Sequence, residues 1–413
     1  MRVEARRGVD AAWDRLWSEG ISNPLRAVEV ISLALLGLRL KDESSETRWN
    51  QWEPESVALR VQDQLQIDFA EAARQVPVAA FRAVLGDLVS SGLHEHVDSA
   101  GDALEYALSH LSTAGRFGQF RTPSHIAEFM ARCLPIHESA VVLDPAAGTG
   151  GFLIAALSQH ANLKLTALGD EIDPVMASLA NANLALHSSP GAIRRGDALI
   201  SGQEEADFVL ANPPFAGRVS DRCDLATEVA SNKTEVLFVD LITKRLRPGG
   251  WAAMVLPISV LTNTDKGTTA MRRLLHREGA VRAIVELPSG VFRPYTDVRT
   301  AIVFWQKNGV SNCTYMWQVQ NDGFTLDDRR RPIESNDLSE LADELVAALA
   351  DLPGEFTGVS VPSSQLSSGS ESLLPARYLK KEVPESSRPD VVDLLKRALE
   401  QADAIRNELG ALL

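Results

Sequence analysis

The chain has 413 residues, 45% of them apolar, and a formal net charge of −14 from 41 basic and 55 acidic side chains. That apolar content supports sizeable cores and excludes wholesale disorder; the acidity argues against a free-standing protein whose own surface grips DNA phosphates. Cys133, Cys223 and Cys313 are far apart and form no CxxC pair, so neither a zinc site nor a disulfide framework is indicated, and a reducing, cytoplasmic compartment is expected.

The first residues, MRVEARRGVDAAWDRLW, contain no signal-peptide apolar region. The longest apolar stretch, near Ala27 to Leu40, carries Glu29 and Arg39 and is too short to span a bilayer, so no membrane partner is expected. Residues 1–110 read as a helical domain. Val28, Ile31, Leu35 and Leu38 recur at helical spacing, as do Val57, Val61, Leu65 and Phe69, with a loop from Ser44 to Pro54 between them.

From about Ala140 short apolar runs alternate with helical segments. The predicted strands are Ala140 to Leu143, Leu165 to Leu168, Ile193 to Arg195, Phe208 to Leu210, Ala252 to Leu256, Val281 to Val285 and Ala301 to Phe304. Near-continuous apolar strands separated by helices predict a parallel sheet covered on both faces, an α/β doubly wound, Rossmann-like architecture over residues 111–345. One more β-like run spans Thr314 to Val319, and acidic helical stretches follow. Residues 346–413 read as a linker and a terminal helix. Ser360 to Ser372 is serine-rich and loop-like, and from about Pro389 a heptad seam runs through Val391, Leu395, Ala398, Ala402, Ile405, Leu409 and Leu412. That seam suits either the chain's own helical domain or a helix of a partner.

Chemistry concentrates at the predicted strand ends. Val141 to Phe152 runs from a strand through Asp144, Gly148, Thr149, Gly150 and Gly151 into a helix. Glycines there allow a ligand close to the backbone, and the helix start offers free N–H groups to a carboxylate. A turn of this kind alone is equally a tight packing turn. Glu171 ends the second strand about 20 residues after the glycines, placed to accept both hydroxyls of a ribose. Asp197 ends the third, where a carboxylate can accept from an adenine amino group. Either acid in isolation reads as a helix cap or a solvated charge; in register at successive strand ends they read as one site. The fourth strand ends in Asn212, Pro213, Pro214 and Phe215. Asn-Pro-Pro is a natural strand terminator, but the Asn212 amide oxygen and the Pro213 carbonyl can both accept from an –NH2 group, and Phe215 can stack on a planar ring.

Asp-Pro-Ala-Ala-Gly-Thr-Gly-Gly-Phe followed by Asn-Pro-Pro-Phe resembles the N6-adenine DNA methyltransferases, and more closely the modification subunit of type I restriction–modification systems. Gly118 to Pro123 is similar to that family's segment before the glycine motif. So are Leu246 to Gly250 leading into Met254 to Pro257, Leu287 to Phe292 followed by Pro294 to Thr296, and Asp322 to Asp328. The resemblance covers roughly Gly115 to Leu338 well. It implies S-adenosyl-L-methionine as cofactor, with Gln119, Phe120, Thr122 and Pro123 at its methionine end, double-stranded DNA as substrate, and a separate specificity subunit and a restriction subunit as partners. The N-terminal region reads as shorter than expected for that subunit, and a target-reading domain is expected to come from a separate subunit.

Under this reading the target adenine is flipped out of the duplex. Acceptors at Asn212 and Pro213 stabilise the positive charge developing on its nitrogen, and neither metal nor covalent intermediate is required. Methylation at cytosine C5 needs a thiolate behind a proline; Pro135 follows Cys133 instead, and Cys133 reads as core packing. Cytosine N4 enzymes share the Pro-Pro step but begin with serine. The competing readings are a methyltransferase acting on protein glutamine or RNA and a non-catalytic scaffold.

Overall fold

The computed structural model describes residues 3–40, 49–93, 98–111, 121–201, 204–219 and 228–379. The N-terminal region is helical: α1 (Val3–Ser18), α2 (Pro24–Arg39), α3 (Pro54–Leu65), α4 (Ala70–Gln75), α5 (Val78–Ser90) and α6 (Asp98–Leu111). Asn23 starts α2 by accepting from the Leu25 and Arg26 amides, with Pro24 next in the chain. Val28, Ile31, Leu35 and Leu38 are all buried on α2. The second periodic run is not one helix. Gln66 turns left-handed after Leu65 (φ 59°), and Asp68 accepts from the Ala70 amide to start α4, so Phe69 packs from the break between two helices.

Beyond them come α7 (Ser124–Cys133), β1 (Val141–Asp144), α8 (Gly151–Gln159), β2 (Thr166–Glu171), α9 (Pro174–Leu186), β3 (Gly191–Arg195), α10 (Ala198–Ser201) and β4 (Ala206–Ala211). Then follow α11 (Thr234–Arg245), β5 (Leu246–Pro257), α12 (Ile258–Thr262), α13 (Lys266–Glu278), β6 (Gly279–Glu286), β7 (Thr300–Lys307) and β8 (Cys313–Gln318). A small hairpin, β9 (Asp322–Phe324) with β10 (Pro332–Asn336), precedes α14 (Asp337–Leu349), β11 (Val359–Pro362) and α15 (Ser363–Leu366).

Among the described residues nine strands form one sheet in the order β11-β8-β6-β7-β5-β4-β1-β2-β3. Strands β1 to β5 pair in parallel. Both faces are buried: Ala253 and Val255 pack towards α7 and α8, while Ala252, Met254 and Leu256 pack towards α11 and α13. That double burial explains the near-continuous apolar strands. The expected all-parallel sheet is corrected at β7, which runs antiparallel to both β5 and β6. No crossover helix lies between β6 and β7, and a parallel return would need one.

Ser360 to Ser372, expected as a linker, instead begins within β11, which pairs antiparallel with β8 and buries Val361, Leu366 and Leu373. The heptad seam from Val391 to Leu412 lies outside the described residues. Leu179, Ala182 and Leu186 of α9 belong to the core of the N-terminal helices, so the helical region and the sheet share an element. Among the described residues, no helix is long and apolar enough to cross a membrane.

Candidate active site

The sheet order reverses between β1 and β4, which opens a crevice at their carboxyl ends, where ligands of doubly wound sheets bind. Asp144, Glu171, Asp197 and Asn212 stand at or just past the carboxyl ends of β1, β2, β3 and β4. Gly148 and Gly150 have φ of +55° and +84°, a region that non-glycine side chains avoid, and Gly151 opens α8. A side chain at Gly148 or Gly151 would project into open space, with no atom within 4 Å of its Cβ. The turn therefore presents bare backbone to the crevice, and Thr149 is buried within it.

Two acids shape this turn. Asp144 is 1% exposed and accepts from the Ala146 amide at 3.0 Å, and burial pushes its carboxyl up to about 8. Glu171 accepts from the Gly148 amide at 2.8 Å and from the Asp173 amide at 2.8 Å, tying the end of β2 to the glycine turn. Burial pushes the Glu171 carboxyl up, opposed by those backbone bonds. Each carboxylate oxygen keeps a second lone pair for a ligand hydroxyl. Asp197 caps α10 through the Leu199 amide at 2.9 Å.

The native Asp144 carboxyl holds its proton between its ordinary value of 3.8 and about 8. In that window the folded chain binds more protons than the unfolded one, so this group makes stability fall as pH rises. Asp144→Asn keeps the acceptor for Ala146 and removes the titration. Its thermal midpoint should exceed that of the wild type by a margin that grows between about pH 5 and about pH 8. A pH-independent margin in a thermal-shift series would refute the assignment.

At the end of β4, Asn212 donates from Nδ2 to Thr122 Oγ1 at 2.9 Å, so a residue just before α7 holds the amide. Its Oδ1 is buried with no hydrogen-bond partner in the protein, an expensive arrangement unless a ligand donor completes it. Pro213 is buried and Pro214 exposed. The half-buried Phe215 ring meets Phe292 edge-on, with centroids 6.2 Å apart at 83°. Phe292 comes from the Leu287 to Thr296 block. Pro123 precedes α7, and its carbonyl accepts from the Ile126 and Ala127 amides. Gln119 and Phe120 lie outside the described residues, as does Cys223. Cys133 is buried on α7 and burial pushes its thiol up, which suits packing and not nucleophilic attack.

Several residues escaped the sequence reading. Asp170, adjacent to Glu171, is 1% exposed and pairs with Arg194 at 2.5 Å and with Arg245. Counting from the glycines points to Glu171 and passes over Asp170, although neighbours in a strand point to opposite faces. Ile172 is 68% exposed beside Glu171, an apolar platform flanked by acids. Thr234 donates its hydroxyl to the Pro214 carbonyl at 2.8 Å and its amide to the Gly217 carbonyl at 3.1 Å, pinning the chain after Asn212. Nothing in the local sequence marks Thr234.

The family model described as N-6 DNA Methylase matches residues 95–382. The EcoEI type I restriction enzyme methylase subunit of Escherichia coli is 34% identical over 226 residues, which is 50% of this chain and 46% of that protein. The chain thus spans about half the length of the curated relatives it matches. Among solved structures, one chain from a study of complex assembly in the type I R-M system aligns at TM-score 0.69 with 22% identity, covering 98% of this chain and 97% of that one. A type I restriction–modification methyltransferase subunit from Streptococcus thermophilus aligns at TM-score 0.68 with 18% identity, covering 91% of this chain and 99% of that one. At those identities the structural likeness establishes the fold, a Rossmann-like methyltransferase sheet with an N-terminal helical region.

Proposed function

Because the chain belongs to the N-6 DNA methylase family, we propose that it transfers a methyl group from S-adenosyl-L-methionine to the exocyclic N6 of adenine in DNA, as the modification subunit of a restriction–modification or related phage-defence system. The observation that carries this reading is the partnerless, buried Oδ1 of Asn212 at the carboxyl end of β4, beside Phe215 and across the crevice mouth from the bare glycine turn. The cofactor, when bound, supplies an electrophilic methyl group on a sulfonium.

The chain's residues divide the rest of the work. Gly148, Thr149, Gly150 and Gly151 would hold the methionine end against the start of α8, with Gln119, Phe120, Thr122 and Pro123 contacting that same end. Asp144 would hold the turn through the Ala146 amide. Glu171 would accept from the ribose hydroxyls, Ile172 would pack on the cofactor's adenine ring, and Asp197 would accept from its amino group. Asn212 Oδ1 and the Pro213 carbonyl would accept from the target amino group, drawing its nitrogen towards tetrahedral geometry and stabilising the charge that develops there. Phe215 would stack on the flipped base, with Phe292 backing it and Pro214, held by Thr234, stiffening the turn.

We take residues 111–345, extended by β11, as the methyltransferase unit, preceded by the helical domain. The working location is the cytoplasm. The acidic charge of −14 supports a partner that supplies much of the DNA grip, and a specificity subunit fits that need. The heptad-spaced apolar positions from Val391 to Leu412 would join a helix of it.

The test is transfer of a labelled methyl group to duplex DNA by the full chain, alone and with the products of neighbouring genes. N6-methyladenine, formed poorly alone and well in the complex, is the expected product. Label on RNA or on protein glutamine, or no transfer in any combination, would overturn the reading.

Glu171→Ala should weaken cofactor binding by about 1.5–3 kcal/mol, the worth of hydrogen bonds to a charged group. Wild-type affinity should also decline as pH falls, since the accepting form of Glu171 is the ionised one and its carboxyl is pushed up. Calorimetric affinity unchanged by the substitution would refute this placement.

A further inference from the structure

The helical region reaches the crevice through a carboxylate. Glu105 stands on α6. One of its oxygens accepts from Asn183 Nδ2 at 2.6 Å, and the other accepts from Arg121 Nη2. Asn183 is fully buried on α9, and its Nδ2 also donates to the Thr149 carbonyl at 3.0 Å. An amide NH2 has two hydrogens, so one nitrogen serves both acceptors. Asn183 Oδ1 is buried without a partner, so these donor contacts alone orient the amide.

The two arms of this network end in two segments that the cofactor reading places at the crevice. Thr149 lies in the glycine turn after β1. Arg121 immediately precedes Thr122, the residue that accepts from Asn212. The reach of Glu105 is set by close packing of α6 on α9: a Cβ at Gly101, one turn earlier on α6, would fall 2.6 Å from the His187 ring. That ring in turn contacts the Asn183 carbonyl oxygen through Nδ1 at 2.9 Å.

We propose that Glu105 is a positioning residue for the cofactor, acting through Asn183 on the Thr149 turn and through Arg121 on the segment before α7. Occupancy of the crevice is thereby coupled to the packing of α6 on α9, and the helical region is a working part of the cofactor site. This inference rests on the S-adenosylmethionine reading given above. Both carboxylate oxygens of Glu105 are engaged by Asn183 and Arg121, so its role would show in coupling between sites, which is reciprocal.

The test uses the full-length chain, S-adenosylmethionine titrations by calorimetry, and amide hydrogen exchange across residues 98–111. Asn183→Leu puts an apolar side chain of similar size in place of the amide and cuts the arm from Glu105 to Thr149. Its cofactor affinity should fall about tenfold or more, the scale of one lost hydrogen bond to a charged group. Glu105→Gln keeps an acceptor for Asn183 but loses the charge facing Arg121, and should cost less. The double variant should bind more weakly than Asn183→Leu alone, because the two substitutions cut different arms of the network. In the wild type, cofactor should slow exchange in α6, and Asn183→Leu should abolish that slowing. If Asn183→Leu fails to fold, Arg121→Ala at the partly exposed rim carries the same affinity and exchange tests on the other arm. Affinities within about twofold of the wild type in the folded variants, or α6 exchange indifferent to cofactor, would overturn the proposal. A wild-type chain that binds no S-adenosylmethionine would instead overturn the reading beneath it.

Discussion

Asn212→Ala is expected to abolish detectable methyl transfer while leaving S-adenosylmethionine affinity nearly unchanged. The amide oxygen is the acceptor that the protein itself leaves unmatched in a buried position, and its donor is expected to be the target amino group. Removing one preorganised group that faces developing charge costs about 10²–10³ in rate. The loss should fall on the chemical step, because the interaction strengthens as the nitrogen becomes positive. Thr122→Val is the informative companion. It removes the contact at 2.9 Å that fixes which way the amide faces while leaving the amide itself, so it should cost less than Asn212→Ala. Single-turnover measurement of N6-methyladenine separates the two. Near-normal product from Asn212→Ala would end the proposed mechanism.

The second large effect concerns stability. Asp170→Ala should destabilise the fold by about 3 kcal/mol, the lower end of the cost of breaking a buried ion pair. Asp170 and Arg245 are both nearly sealed from solvent, with side chains 2% and 4% exposed. The substitution strands the Arg245 guanidinium, which retains Glu204 as a partner at 3.0 Å. Arg194 is 34% exposed and can rehydrate, which tempers the loss. By contrast Arg247→Ala, which breaks the more exposed pair with Asp207, should cost no more than about 1 kcal/mol. Urea unfolding monitored by intrinsic fluorescence checks the pair of variants. A loss below about 1 kcal/mol for Asp170→Ala would show that the network adds nothing beyond a hydrophobic replacement.

What was legible in the sequence was local. The glycine turn and Asn-Pro-Pro announce themselves because backbone conformation is set by the residues in the turn. The sheet was legible because strands buried on both faces are apolar throughout. Contacts between distant segments were not. Thr122 holds Asn212 across 90 positions, and Glu105 reaches Asn183 across 78, with no pattern in either neighbourhood to signal the pairing. The reversal of β7 was hidden because a strand's composition says nothing of its direction. The strand β11 was hidden because Ser360 and Pro362 look like loop residues, and only pairing with β8 orders them. The break at Gln66 was masked by apolar spacing that continues through Phe69 although the helix does not.

The sheet's two outermost strands have a consequence for behaviour in concentrated solution. At one margin β3 carries Arg194 and Arg195; at the other β11 is four residues long and ends in Pro362, which has no amide hydrogen to offer. Both margins are poor templates for a strand from another molecule. Self-association into extended β-structure is therefore disfavoured at both margins.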